Sequence, residues 1–171
     1  MLWLNDSSEL VTFLGKQDSI LEVGCGPGGL LRHIEARRVC GIDPSPEMLR
    51  QAARHNRGRN VDLRFGTAAD TGHPDSSFDT VVSVNNVVMW PDLEAGIHEL
   101  CRVTRPGGRV LIAWHSATGR SPIARKNALP EEKLAHISHA LGEPTRRHEL
   151  KNLTVFEKRF PGIQVNRSGS D

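Results

Sequence analysis

The chain has 171 residues, 37 % of them hydrophobic, with 16 glycines, a formal net charge of +2 and a pI near 8.6. That length suits one domain with a self-sufficient core, and the composition excludes a disordered chain. It also excludes a membrane-spanning helix, which needs about 18 consecutive apolar residues, and argues against nucleic acid as a partner, which calls for a concentrated basic surface.

Asp6-Ser7-Ser8-Glu9 places an acid three residues after a cap and starts a short helix. Ser19–Val23 is a buried strand that ends in a glycine cluster. Gly29–Arg38 carries Leu30, Leu31 and Ile34 on one helical face, and Val39–Asp43 reads as a second strand. Ser45-Pro46-Glu47 is a helix start, with cap, proline at the first helical position and acid in the first turn. That helix runs to about Arg57 and is followed by a third strand, Val61–Phe65.

Gly66–Ser77 reads as loop, Phe78–Val84 as a strand buried on both faces, and Pro91-Asp92 as the start of a helix that Arg105-Pro106-Gly107-Gly108 stops. Arg109–Trp114 is the fifth strand, Ser116–Leu129 a polar loop, and Pro130–Leu141 a helix ended by Gly142. Thr145–Leu150 and Leu153–Phe160 form a closing hairpin, and the tail from Pro161 is expected to be disordered. Strands alternating with helices imply an open, mostly parallel α/β sheet, whose ligands bind beyond the carboxyl ends of the strands.

At that edge the first strand ends Glu22-Val23-Gly24-Cys25-Gly26-Pro27-Gly28, a turn in which only glycine allows close backbone approach. Asp43 ends the second strand 19 residues after Gly24, where a carboxylate grips ribose hydroxyls. The competing readings are a tight turn without a ligand and a cap for the following helix. By itself this pattern points to an adenosine-type cofactor and separates neither a dinucleotide from S-adenosyl-L-methionine.

Four blocks in order, Ile20–Gly29, Cys40–Leu49, Ser77–Ser83 and Arg102–Ile112, make the chain resemble the class I S-adenosylmethionine-dependent methyltransferases of the small bacterial type. The resemblance implies a three-layer, Rossmann-like, seven-stranded sheet of order 3-2-1-4-5-7-6 with the last strand antiparallel. It implies a single methyltransferase domain over 1–160, with its core at 20–160 and a minimal N-terminal cap at 1–19. It places Glu22 and Gly24 near the methionine part of the cofactor, Gly26 and Gly28 in the turn beneath it, Asp43 on the ribose, and Pro44 and Met48 beside the adenine. The family's Gly-Asp-Ala after the third strand is here Gly66-Thr67-Ala68, so Thr67 and Ala68 face the adenine without a charge. Asp70 either substitutes for the missing acid or caps the loop.

Acceptor-side residues are expected after the fourth and fifth strands. His115 is the candidate base, because an imidazole titrates near neutrality, although a methyl transfer needs a base only when the nucleophile must lose a proton. Asn85 or Asn86 is a candidate to hold cofactor or acceptor by hydrogen bonds. The Asp/Asn-Pro-Pro-aromatic signature of amino-group methylation is absent, since the chain reads Asn85-Asn86-Val87-Val88. Trp90 reads as packing, Cys25 as a small buried residue, and the arginines of the Ser45 helix as a solvated face. His136 and His139 lack a third ligand at a recognisable spacing, so no metal is expected.

The expected activity is methyl transfer to a small-molecule acceptor by a cytoplasmic enzyme without disulfides or leader, given only three cysteines and no basic n-region. The alternatives are an RNA or protein methyltransferase, or a cofactor-binding subunit or pseudoenzyme whose short N-terminal cap is completed by a homodimer or partner subunit.

Overall fold

The computed structural model describes residues 4–163. Seven strands form one sheet in the order β3-β2-β1-β4-β5-β7-β6. They are β1 (Gln17–Val23), β2 (Ala36–Asp43), β3 (Val61–Phe65), β4 (Phe78–Val84), β5 (Thr104–His115), β6 (Thr145–Glu149) and β7 (Leu153–Arg159). β7 runs antiparallel between β5 and β6, while the pairs from β3 through β5 are parallel. The expected fold is therefore the one observed.

Helices cover both faces. Leu10 and Leu14 of α1 (Leu4–Leu14) pack with Leu30, Leu31 and Ile34 on one face. Ile97 and Leu100 of α3 (Leu93–Val103) pack with Leu134 and Ile137 of α5 (Glu131–Leu141) on the other. Truncating a side chain as buried as Leu31, at 0 % exposure, costs about 2–5 kcal/mol. Among the described residues no helix is long and apolar enough to cross a membrane.

Three expectations are corrected. Gly29–Arg38 is not a helix: only Leu31–His33 forms a 3-10 turn, and β2 begins at Ala36. Leu30, Leu31 and Ile34 are buried as their spacing foretold. Yet pairing Gln17 with Ala36 and Ser19 with Arg38 takes the following residues into the ladder. The crossover is left with segment 24–35, close to the lower limit of about 10–12 residues for such a connection. Ser116–Leu129 is not all loop: Ser121 caps α4 (Pro122–Asn127) by accepting from the Ile123 amide at 3.2 Å.

Arg105-Pro106-Gly107-Gly108 does not separate helix from strand but lies inside β5 as an irregularity. Phe78 pairs with Thr104 and Thr80 with Arg109, so the intervening β5 residues bulge out. Arg105 on that bulge reaches Asp79 at 3.2 Å and Ser19 Oγ at 3.0 Å. Of the expected disordered tail, Pro161 accepts from the Gly107 amide at 3.0 Å, and residues 164–171 lie outside the described residues.

Candidate functional site

The glycine turn leaves β1 at Val23. The amides of Gly24 and Cys25 both donate to the Ile42 carbonyl at 2.9 Å, and Gly28 donates to the Cys25 carbonyl at 2.9 Å. Gly24 has φ +72°, and a Cβ there would sit 2.4 Å from Asn86 Nδ2, so no other residue fits. With no long helix after it, the turn is braced by the end of α2 (Pro46–His55). His55 Nδ1 lies 2.8 Å from the Pro27 carbonyl, and Asn56 Nδ2 donates to the Gly28 carbonyl at 3.2 Å.

Two acids lie under this turn. Asp43, at the carboxyl end of β2, is buried; its Oδ2 accepts from the Gly26 amide at 2.8 Å and its Oδ1 from the Ser45 amide at 2.8 Å. Glu22 is 4 % exposed, and its Oε2 has no hydrogen-bond partner among the described residues. Burial, and then the charge of Asp43, push the Glu22 carboxyl well above its usual 4.5. Burial likewise pushes the Cys25 thiol up, helped by Glu22 and Asp43, so it is a packed thiol rather than a nucleophile.

The opposite wall follows β4. Asn85 has φ +53°, a strained conformation for a residue other than glycine. Its Oδ1 accepts from the backbone amide of His115 at 3.0 Å, tying the ends of β4 and β5 together. The next residue then turns under the glycine loop: Asn86 Nδ2 donates to the carbonyls of Val23 at 2.9 Å and Gly24 at 3.1 Å. Its Oδ1 accepts from Ser83 Oγ and from the indole nitrogen of Trp90, both at 2.8 Å.

The third wall is the loop after β3. Thr67 and Asp70 exchange backbone hydrogen bonds at 2.9 and 3.3 Å, and Asp70 Oδ1 accepts from Gly72 N at 3.2 Å. Asp70 thus caps the loop, the second of its two expected roles. Thr71 donates through its amide and hydroxyl to Glu99 Oε1 at 2.9 and 2.7 Å. Burial raises the Glu99 carboxyl, but bonds from Arg102 and Thr71 outweigh it and hold the group down at about 2.

These walls enclose a cleft of about 1050 Å³ at the carboxyl ends of β1 to β4. Of the residues expected to bind the cofactor, Gly24, Gly26, Asp43, Pro44, Met48, Thr67 and Ala68 line it. Glu22, Gly28, Asn85 and His115 do not: Glu22 is buried beneath, Gly28 packs against Asn56, and Asn85 is taken up by the His115 amide. Of the two asparagines after β4, Asn86 lines the cleft and Asn85, the one expected to hold the cofactor, does not. Trp90 also lines the cleft, as do Gln51 and His55, which share the Met48 face of α2 at spacings of three and seven residues. That helical period is the signal that would have found them.

The sequence model of a methyltransferase domain matches residues 20–108, a little over half of the chain. The uncharacterized methyltransferase YdaC of Bacillus subtilis is 40 % identical over 99 residues, which is 56 % of this chain and 55 % of that protein. The fatty-acid O-methyltransferase of Mycolicibacterium smegmatis is 32 % identical over 144 residues, 81 % of this chain and 52 % of its own length. The chain thus spans about half the length of the curated relatives it matches.

In structure, a putative S-adenosyl-L-methionine-dependent methyltransferase of Methanococcus maripaludis has a TM-score of 0.76 at 17 % identity, covering 95 % of this chain and 87 % of that one. Domain match, strand order and glycine turn agree: the chain belongs to the class I S-adenosylmethionine-dependent methyltransferases.

Proposed function

We propose that the chain transfers a methyl group from S-adenosyl-L-methionine to a small-molecule acceptor bound in the same cleft. The observation that carries this reading is the 1050 Å³ cleft with Asp43 and the glycine turn on one side and Asn86 and Trp90 on the other. Its volume reaches the top of the range of roughly 300–1,000 Å³ for small-molecule sites, room for a cofactor and an acceptor together. The fatty-acid methyltransferase among the relatives supports an acceptor of that size class.

The residues present fit the cofactor. Each Asp43 oxygen accepts one amide hydrogen and keeps a lone pair for a ribose hydroxyl. Gly24 and Gly26 let a ligand lie against the main chain, and Met48, Thr67 and Ala68 offer an adenine wall with little charge. When bound, the sulfonium supplies an electrophilic methyl carbon. The chain's own part is to hold both partners in line and to exclude water with its apolar walls. His115 stands outside the lining, so no proton transfer is assigned to it.

A second reading is favoured by the cleft rim, where Val88 and Met89 are 45 % and 69 % exposed. A homodimer or partner subunit seated there would complete the site. A methyltransferase of Haloferax volcanii with this fold is known in complex with the activator Trm112, with a TM-score of 0.64.

Isothermal titration with S-adenosylhomocysteine, followed by a screen for its formation from S-adenosyl-L-methionine in the presence of small phenols, amines and carboxylates, tests the first reading. A folded protein without binding heat overturns it. Light scattering during turnover tests the second, and a fully active monomer refutes it.

A further inference from the structure

Asn86 is 6 % exposed, and every polar atom of its side chain is in use. The amide nitrogen holds the Val23 and Gly24 carbonyls and the oxygen holds the Trp90 indole, so one planar group ties the glycine turn to the acceptor-side wall. Neither end is loose. Gly24 has no Cβ where the Asn86 amide lies, with a separation of 2.4 Å to a hypothetical one. Trp90 in turn packs so closely on α3 that a Cβ on Gly96 would fall 2.5 Å from its Cε3. A buried amide that leaves a partner behind forfeits the full cost of desolvation, so turn, amide and indole move together or not at all.

Gly24, Asn86 and Trp90 all line the cleft. We propose that Asn86 is a positioning residue that couples occupancy of the cofactor side of the cleft to the setting of the Trp90 wall, an inference that rests on the cofactor reading above. A ligand that presses on the glycine turn resets the indole, and by reciprocity an acceptor that engages the indole changes the affinity for the cofactor.

The test uses the whole 171-residue chain labelled with nitrogen-15 at its three tryptophans, Trp3, Trp90 and Trp114. The Trp90 indole signal is identified by its loss in Trp90→Phe. S-adenosylhomocysteine is titrated while calorimetry follows binding in the same samples. The Trp90 indole resonance is expected to move along the same saturation curve as the heat. In Asn86→Ala, binding weakens at least about tenfold and the resonance no longer moves at saturation.

Asn86→Asp keeps the acceptor for Trp90 and removes the amide from the two carbonyls, so it too abolishes the movement and serves if the alanine variant does not fold. Heat without movement of Trp90 in the unmodified protein overturns the coupling alone. So does movement of undiminished size in either variant, which marks direct contact of ligand and indole. Absence of heat in the folded, unmodified protein overturns the cofactor reading and the coupling with it.

Discussion

Asp43 is locked to Gly26 by a 2.8 Å hydrogen bond from the glycine amide to one carboxylate oxygen, so the acid fixes the turn it would serve. Removing it loses the two amide bonds that shape the loop and, on the function proposed above, the ribose acceptor. Asp43→Ala is expected to weaken S-adenosylhomocysteine binding at least about tenfold in calorimetry. Asp43→Asn, which keeps one acceptor oxygen, is expected to fall between the two. Unchanged affinity in Asp43→Ala refutes the ribose role.

Glu22 makes stability depend on pH. Its folded pKa lies above the usual 4.5, because of burial first and the Asp43 charge second, so the native state binds the proton more tightly than the unfolded state. The stability this contributes is complete below pH 4.5 and is lost as pH rises through the folded value. Glu22→Gln lacks that titration. Denaturant unfolding between about pH 5 and 8 is expected to show the glutamine variant gaining on the parent as pH rises. Parallel curves count against it.

Glu99 holds the cleft's third wall through Thr71 and is itself clamped by Arg102 at 2.7 Å. Glu99→Ala leaves the Arg102 guanidinium with Asp75 as its one ion-pair partner among the described residues and removes the acceptor of the Thr71 amide and hydroxyl. The expected loss is about 2–4 kcal/mol in unfolding free energy, with faster hydrogen exchange at the amides of 66–72. Exchange confined to α3 would contradict the assigned role of the loop.

Gly24→Ala places a methyl group against the Asn86 amide in a left-handed backbone. The backbone alone costs about 1–2 kcal/mol, and the clash adds to it. A lowered melting temperature together with lost cofactor binding is expected; wild-type affinity in the folded variant would show that the turn has room to spare.

The thiol of Cys25 is buried and pushed up by burial and by its acidic neighbours. Mass-spectrometric mapping after iodoacetamide treatment near pH 8 is expected to find it unmodified in native protein and labelled after denaturation. Rapid native labelling would mean that the turn opens.

Much of this was readable from residues alone because the local chemistry agreed with the global fold. Ser45-Pro46 sets a cap and a first helical residue, and the helix starts there. Ser121-Pro122 carries the same pair, yet short polar surroundings hid α4 behind them. Asp43 could be placed because it ends a strand whose register with β1 fixes its distance from the glycine turn.

Gly29–Arg38 shows the limit. Its helical spacing told which residues bury but not that the ladder would claim Ala36 through Arg38 for β2. The choice between Asn85 and Asn86 was beyond pattern altogether, since it depends on a positive φ at Asn85 that sends one side chain to β5 and the next beneath Gly24.

β7 occupies an interior place in the sheet although it is the last of the described strands in the chain. On the ribosome, β5 therefore emerges with an open edge that stays unpaired until Leu153–Arg159 follows. Such an edge invites pairing with other nascent chains, and closing it needs contacts across a long stretch of sequence. Translation that stalls between the two strands exposes the chain to aggregation even though every residue that lines the cleft, the last being Asp92, has already been synthesised.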